Sequence, residues 1–513
     1  MISILNGASR LSNKNIYNLL NAAPKNLSAI TAPNRPALTY EALIKHVDRI
    51  GGQLAGQGLT NSDRVAIVLP NGPEMATAFL AVSSFMSAAP LNPAYKQSEY
   101  EFYLEDLKPK LVMIEEGSSN TVRQAALKLS IPVAEIKVSK NAAAGEFSLF
   151  DTSSDISLPS ENTEALVLHT SGTTSRPKVV PLTQGNIVAS AGNISNTLKL
   201  SEADHSLNIM PLFHIHGLIA VLCASLYSGS SICCTPGFNA LKFFDLATSE
   251  KITWYSGVPT MHQAILLRGQ RQVDGAKALK LRFIRSSSAS LPPAVFEELA
   301  DLFNCPVIEA YGMTEAAHQM TSNPLPPQIQ KAGFVGLPAG PEVCIMDSEG
   351  TQLQQGNEGE VCIKGENVTP GYDNNPEANA KGFTNGWFRT GDQGVFDEDG
   401  YLKITGRLKE IINRGGEKIS PLEIDNVFME HPSIQQVVSF AVADKTYGEE
   451  IGLAVVLTDG QQLSETELKA FASEKLARFK IPKHICFLEE IPKGATGKMQ
   501  RIGLAKKLGL EDS

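Results

Sequence analysis

Short apolar runs of strand length alternate with longer amphipathic stretches from about residue 40 to 330, and this alternation restricts the fold more than any other feature. Residues 64–69 (RVAIVL) read as a buried strand with a helix behind it over 73–86; 110–114 (KLVMI) and 120–129 repeat the pattern. Residues 165–169 (ALVLH) and 281–285 continue the strands, followed by a helix over 293–303 and a strand over 306–309. Parallel strands need long crossovers, and helices that supply them also cover the sheet. The texture changes after about residue 335. Short strands at 359–364, 394–396 and 401–404 are bounded by Gly and Asn, with Asp399-Gly400 as a turn signal, and predict antiparallel pairing. Fresh strands (437–442, 451–457) and a helix (465–476) follow Arg407. The expected fold class is α/β: a large N-terminal body, 1–406, of helix-covered mixed or parallel sheets plus a small antiparallel β-barrel-like part. A small α+β C-terminal domain, 407–513, completes it, with the boundary at about 406–409.

Composition narrows the classes of function. The chain has 513 residues, 42% hydrophobic and 19% charged, which excludes general disorder. Its net charge of −9 argues against nucleic acid or an anionic membrane as a partner held by overall charge. The longest apolar run, 217–227, is broken by Ser225 and falls short of the roughly 18 residues of a membrane span. The opening MISILNGASRLSNKN has no secretory pattern, and the final Glu-Asp-Ser is not a Ser-Lys-Leu ending. Seven scattered cysteines form no Cys-x-x-Cys, and the nine histidines include no His-Glu-x-x-His. A reducing, cytoplasmic setting without structural zinc is expected.

Five segments could carry chemistry. HTSGTTSRPK (169–178) follows a strand and sets Thr170, Ser171, Thr173 and Thr174 around Gly172, with Arg176 and Lys178 behind. Hydroxyl and backbone donors with flexible cations suit a polyphosphate, although a solvated Ser/Thr linker has the same composition. It is not a Walker A loop, because Pro177 precedes Lys178. EAYGMTE (309–315) sits at a strand's carboxyl end, where open α/β sheets bind ligands. There Tyr311 could stack on a base, Gly312 admit a ligand, Thr314 bond a phosphate and Glu315 hold Mg²⁺; an ordinary turn is the alternative. In WFRTGD (387–392) Asp392 follows a Thr-Gly turn and could accept two ribose hydroxyls, or merely close an Asx-turn. GRLKEIINRGG (406–416) contains paired glycines that allow backbone rotation, and PKGATGKMQR (492–501) presents a Gly-flanked Lys498.

Together with PLFHIHG (211–217), SSSASL (286–291) and GEKISP (416–421), these segments in this order resemble the adenylate-forming acyl-CoA synthetase superfamily over nearly the whole length. The resemblance implies a two-step ligase using ATP, Mg²⁺ and coenzyme A. A carboxylate attacks the α-phosphate to give an acyl-AMP and pyrophosphate; the coenzyme A thiolate then displaces AMP. By motif position, Thr170, Ser171, Gly172, Thr173, Thr174 and Lys178 correspond to the triphosphate loop. Ser288, Ala289, Ser290 and Tyr311 correspond to the adenine shelf, with Glu309, Ala310 and Gly312 in the same nucleotide-binding wall. Thr314 and Glu315 would meet phosphate and metal, and Asp392 and Arg407 the ribose. Lys498 is implied as the adenylation lysine, bridging two anions that otherwise repel. The resemblance also implies a mobile C-terminal domain turning near Lys409, which brings Gly415-Gly416 beside the coenzyme A tunnel. Three residues depart from the pattern: Ser175 and Val179 replace glycines of the phosphate loop and Gln184 a histidine, so reduced loop mobility is expected.

Acid specificity should lie near His214 and His216, around Ser286–Ser290 and just after Glu315, where the sequence reads Ala316, Ala317, His318, Gln319. His214 matches the gating aromatic of the family, and His216 is expected to pack. A histidine facing a greasy chain would cost roughly 1–3 kcal/mol if unpartnered, so His318 makes better sense beside a second carboxylate. RFIRSSSASL and AAHQMTSNPLP resemble the oxalyl-CoA-forming members of plants and fungi, which implies oxalate, held at its far end by Ser288 and His318 with His214 nearby. Malonate, acetate or a medium-chain fatty acid are rival substrates. A stand-alone protein that loads a carrier, or a non-catalytic nucleotide binder, are rival classes.

Overall fold

The computed structural model describes residues 14–118, 120–170, 177–493 and 499–510. Two helix-covered sheets form the body. In one, parallel strands run Val307–Met313, Phe283–Ser287, Trp254–Gly257, His205–Asn208, Ser231–Cys234 and Ser28–Thr31, with antiparallel strands added at both edges. In the other, Val133–Ile136, Leu111–Glu115, Arg64–Val68, Ser87–Pro90 and Glu164–His169 are parallel, and Val179–Thr183 closes the edge antiparallel. Near-continuous apolar runs such as RVAIV are what strands covered on both faces require. The helix Pro73–Ser83 starts on a proline, is buried along its whole length and packs against strands of both sheets. It stops three residues before the expected end. The chain then turns into Ser87–Pro90, a strand hidden from sequence reading because Ser and Ala carry no β-preference.

The small antiparallel part departs from the barrel-like expectation. Glu342–Met346, Gly359–Lys364, Trp387–Phe396 and Phe383–Thr384 pair in that order with Leu402–Arg407 added on Trp387–Phe396, an open sheet rather than a closed barrel. Between Arg407 and Ile412 the backbone passes to a further sheet built from Ile412–Arg414, Glu417–Ile419, Ile434–Asp444, Gly448–Leu457 and His484–Phe487. That sheet has its own apolar core around Ile424, Phe428, Val437 and Leu453. The apolar run 217–227 becomes a wide π-type helix, His216–Cys223, continued by Ala224–Tyr227 inside the body. Among the described residues no helix is long and apolar enough to cross a membrane.

Candidate active site

Two expected loops prove to be strand. Val307–Met313 continues through Tyr311 and Gly312, so their positions are fixed by pairing with His318–Ser322. A Cβ on Gly312 would collide with the carbonyl oxygen of His318, which is why this position needs glycine. WFRTGD likewise lies within Trp387–Phe396, not after a turn. The register against Gly359–Lys364 shifts between Glu360 and Cys362, and Gly391 at φ +76° makes the bulge. The bulge is held by the Gly391 N–H on Glu360 Oε1 and re-aims Asp392.

Asp392 thereby joins two other expected residues. It accepts the Tyr311 hydroxyl and the Arg407 Nε–H at 2.7 Å. Burial, and then the Asp392 charge, push the Tyr311 phenol well above its ordinary pKa, so it stays a donor. A second cluster gathers the Glu315 carboxylate, which accepts the Tyr372 hydroxyl at 2.8 Å, and Lys178, whose Nζ lies 4.2 Å from the Tyr372 ring centroid. Burial raises the Glu315 pKa, with Tyr372 and Lys178 acting against it. Burial lowers that of Lys178, helped by the charge of Lys409 and opposed by Glu315. One buried carboxylate can supply an oxygen ligand to magnesium, which takes few protein ligands and completes its shell with water and substrate phosphate. Thr314 opens the single 3₁₀ turn that carries Glu315.

Thr170 and Lys178 close the base of the 169–178 segment, through Thr170 N–H to Lys178 O and Lys178 N–H to Thr170 Oγ1. Ser171, Gly172, Thr173, Thr174, Ser175 and Arg176 lie outside the described residues, as does Lys498. Val179 opens a strand opposite His169, so its side chain is spent on sheet packing. Gln184 begins a helix and bonds Ser83 O and the Ile16 N–H; here the glutamine is a joint between elements.

Glu309 precedes Tyr311 by two residues in the same strand. Its buried carboxyl accepts the Leu291 N–H under the Ser288–Ser290 turn, and burial pushes its pKa up to about 8. Ala310 receives the Ser287 hydroxyl on its carbonyl, while Ala289 and Ser290 are exposed. Ser288, at φ +75°, holds its Oγ 3.0 Å from His216 Nδ1. His216 does more than pack, since its Nε2 also meets Ser256 Oγ at 2.7 Å. His318, buried and at φ +98°, lies with its ring 5.0 Å from that of His216, and the His216 N–H points to His214 Nδ1. Positive φ at a non-glycine residue is a strained setting of the kind functional sites keep. Sequence reading missed Tyr372, Ser256 and Arg285. An arginine inside the apolar run FIRSS was the one available signal, whereas the first two become neighbours only through folding.

Gly415 and Gly416, at φ +58° and +95°, form the two-residue turn between Ile412–Arg414 and Glu417–Ile419, a shape that requires positive φ at both positions. Lys409 is exposed on the connection between the small antiparallel sheet and the mixed C-terminal sheet. Three residues beyond Lys498, Arg501 binds Asp425 at 2.7 Å and Glu410 at 3.1 Å, tying the C-terminal segment to the connection at Lys409.

The sequence matches the AMP-binding enzyme family over residues 21–373 and the AMP-binding enzyme C-terminal domain over 423–498. It is 44% identical to an oxalate–CoA ligase of Arabidopsis thaliana, covering 92% of this chain and 94% of that protein. It is 42% identical to an oxalate–CoA ligase of Saccharomyces cerevisiae, covering 86% of each. The fold superposes on ATP-bound MatB from Rhodopseudomonas palustris with a TM-score of 0.87 and 27% identity, over 96% of this chain and 99% of that one. The chain belongs to the AMP-binding enzyme family.

Proposed function

We propose that this protein joins oxalate to coenzyme A, with ATP converted to AMP and pyrophosphate. It is an AMP-forming acid–CoA ligase, working through an acyl-AMP. The observation that carries the choice of acid is the wall of buried His216 and His318 with half-buried Ser288, a polar surface where a fatty chain would need apolar side chains. Kinship with ligases named for oxalate supports it. Oxalate is short and doubly ionised, so it suits a shallow slot with donors at its far end.

In this reading, Thr170 through Thr174 and Lys178 hold the phosphates, Tyr311 with the Ser288–Ser290 segment holds adenine, and Asp392 with Arg407 holds the ribose. His214 lines the acyl entrance, Thr314 bonds phosphate, and Lys498 spans the two anions at the moment of attack. Magnesium, held at Glu315 with the substrate phosphates, supplies charge neutralisation. Tyr372 keeps that carboxylate oriented. The unit from residue 407 onward turns about Lys409 so that Gly415-Gly416 replaces Lys498 beside the acyl group; the change of sheet between Arg407 and Ile412 supports that boundary. We place the protein in the cytoplasm, a reading supported by seven unpaired cysteines.

The test is coenzyme A-dependent AMP formation with oxalate, malonate, acetate and octanoate. Oxalate should give the highest kcat/KM. Octanoate leading would overturn the reading, and malonate leading would move it to the next dicarboxylate.

A further inference from the structure

Arg285 sits in Phe283–Ser287, a strand in which every residue is buried. Its own side chain is fully buried, and among the described residues all its partners are neutral: Nη1 donates to Ser256 Oγ at 3.4 Å and Nη2 to Gln319 Oε1 at 3.2 Å, while Nε has no partner there. Burial alone moves its pKa, down to about 9, and no carboxylate among the described residues offsets its charge. A buried cation without an anion is costly, and the cost is recovered when a ligand brings the missing charge. Holding Gln319 in place does not explain it, because that amide already binds Thr197 Oγ1 and Ala339 O.

We infer that Arg285 is a positioning residue for the second carboxylate of the acid substrate, acting through Ser256, His216 and Ser288. A guanidinium only donates, so Ser256 accepts from Arg285 and turns its own proton to His216 Nε2. The imidazole then carries its proton on Nδ1 and donates to Ser288 Oγ, which frees the Ser288 hydroxyl to donate to the substrate. Each donor polarises the next, so the positive charge is felt at the slot although Arg285 never touches the acid. An acid with one carboxylate gains nothing from this chain. The device selects dicarboxylates, and it rests on the proposed function only in assuming a dianionic acid.

The experiment compares wild type with Arg285→Met, Arg285→Lys and Ser256→Ala, using oxalate and acetate as acids and ATP binding as a control. Arg285→Met should raise the oxalate KM on the order of 10–100-fold with a much smaller change in kcat, as expected for loss of charge-assisted binding. Ser256→Ala should reproduce that loss and Arg285→Lys should recover most of it. The KM of acetate, or its inhibition constant against oxalate, should stay within about threefold of wild type. Oxalate and acetate weakening together, a fall in kcat at constant KM, or no recovery in Arg285→Lys would overturn the relay. If Arg285→Met fails to fold, Ser256→Ala gives the decisive ratio. A wild type that prefers malonate would refute the oxalate reading while leaving the relay to be judged on malonate against acetate; one that uses no dicarboxylate would refute both.

Discussion

Arg285, fully buried, and Arg501, largely covered, are both arginines enclosed by protein groups, and they are opposites. Arg501 reaches Asp425 and Glu410; burial lowers its pKa, and the two carboxylates more than restore it. Arg285 meets only hydroxyl and amide oxygens. The first cation is matched inside the fold and belongs to its stability. The second is unmatched inside the fold and points to a charge from outside. Burial alone therefore does not identify a functional residue; the partner set does.

The largest effect that would break this contrast is on stability. Arg501→Met takes the cation from Glu410 and from Asp425, which keeps its Ser439 donors, and should cost about 3–5 kcal/mol in denaturant unfolding of the full chain. Arg285→Met strands no carboxylate, so its unfolding midpoint should not fall comparably; equal losses would erase the distinction. Next, Lys498→Ala should slow acid-dependent pyrophosphate exchange by about 10²–10³. Unchanged exchange would remove that amine from the first half-reaction.

A third test uses Glu309, a buried group whose polarity is again not matched by a countercharge. Its folded pKa of about 8 lies above that of an unfolded glutamate, so the folded state holds an extra proton across the interval between them. Stability should then be greatest on the acid side and fall by up to about 1.4 kcal/mol per pH unit as pH rises toward 8. Glu309→Gln keeps an acceptor for the Leu291 N–H and should flatten that slope; an unaltered slope would place its origin elsewhere. The smallest effect is expected at Tyr372→Phe, which removes one donor from Glu315. The KM for Mg·ATP should rise about fivefold, near 1 kcal/mol, and the acid limb of the kcat/KM profile should move to higher pH. A profile that stays in place would show that Tyr372 does not hold the carboxylate in its charged form.

Elements with a strong period were legible in advance. The helix Pro293–Phe303 and the strand Gly359–Lys364 fall at their expected bounds, since the apolar spacing of each fits one geometry. Ser87–Pro90 was not legible, because small residues signal no preference and only neighbouring strands make it one. Tyr311 and Asp392 were each recognisable by motif, yet their mutual hydrogen bond depends on a glycine bulge that no local rule located.

The chemistry was written in the sequence: hydroxyls, glycines and lysines in a fixed order define which groups can meet a nucleotide, because local backbone and side-chain type travel with the chain. The sequence also pointed to oxalate, by resemblance, but the polar line proposed to read the acid was decided in three dimensions. Arg285 lies in one strand and Ser288 just past its end, Ser256 in the neighbouring strand and His216 in a helix, and only the packing of a parallel sheet brings them into one hydrogen-bonded line. Electrostatics depends on distance through space and on burial, and neither is a property of neighbours along the chain.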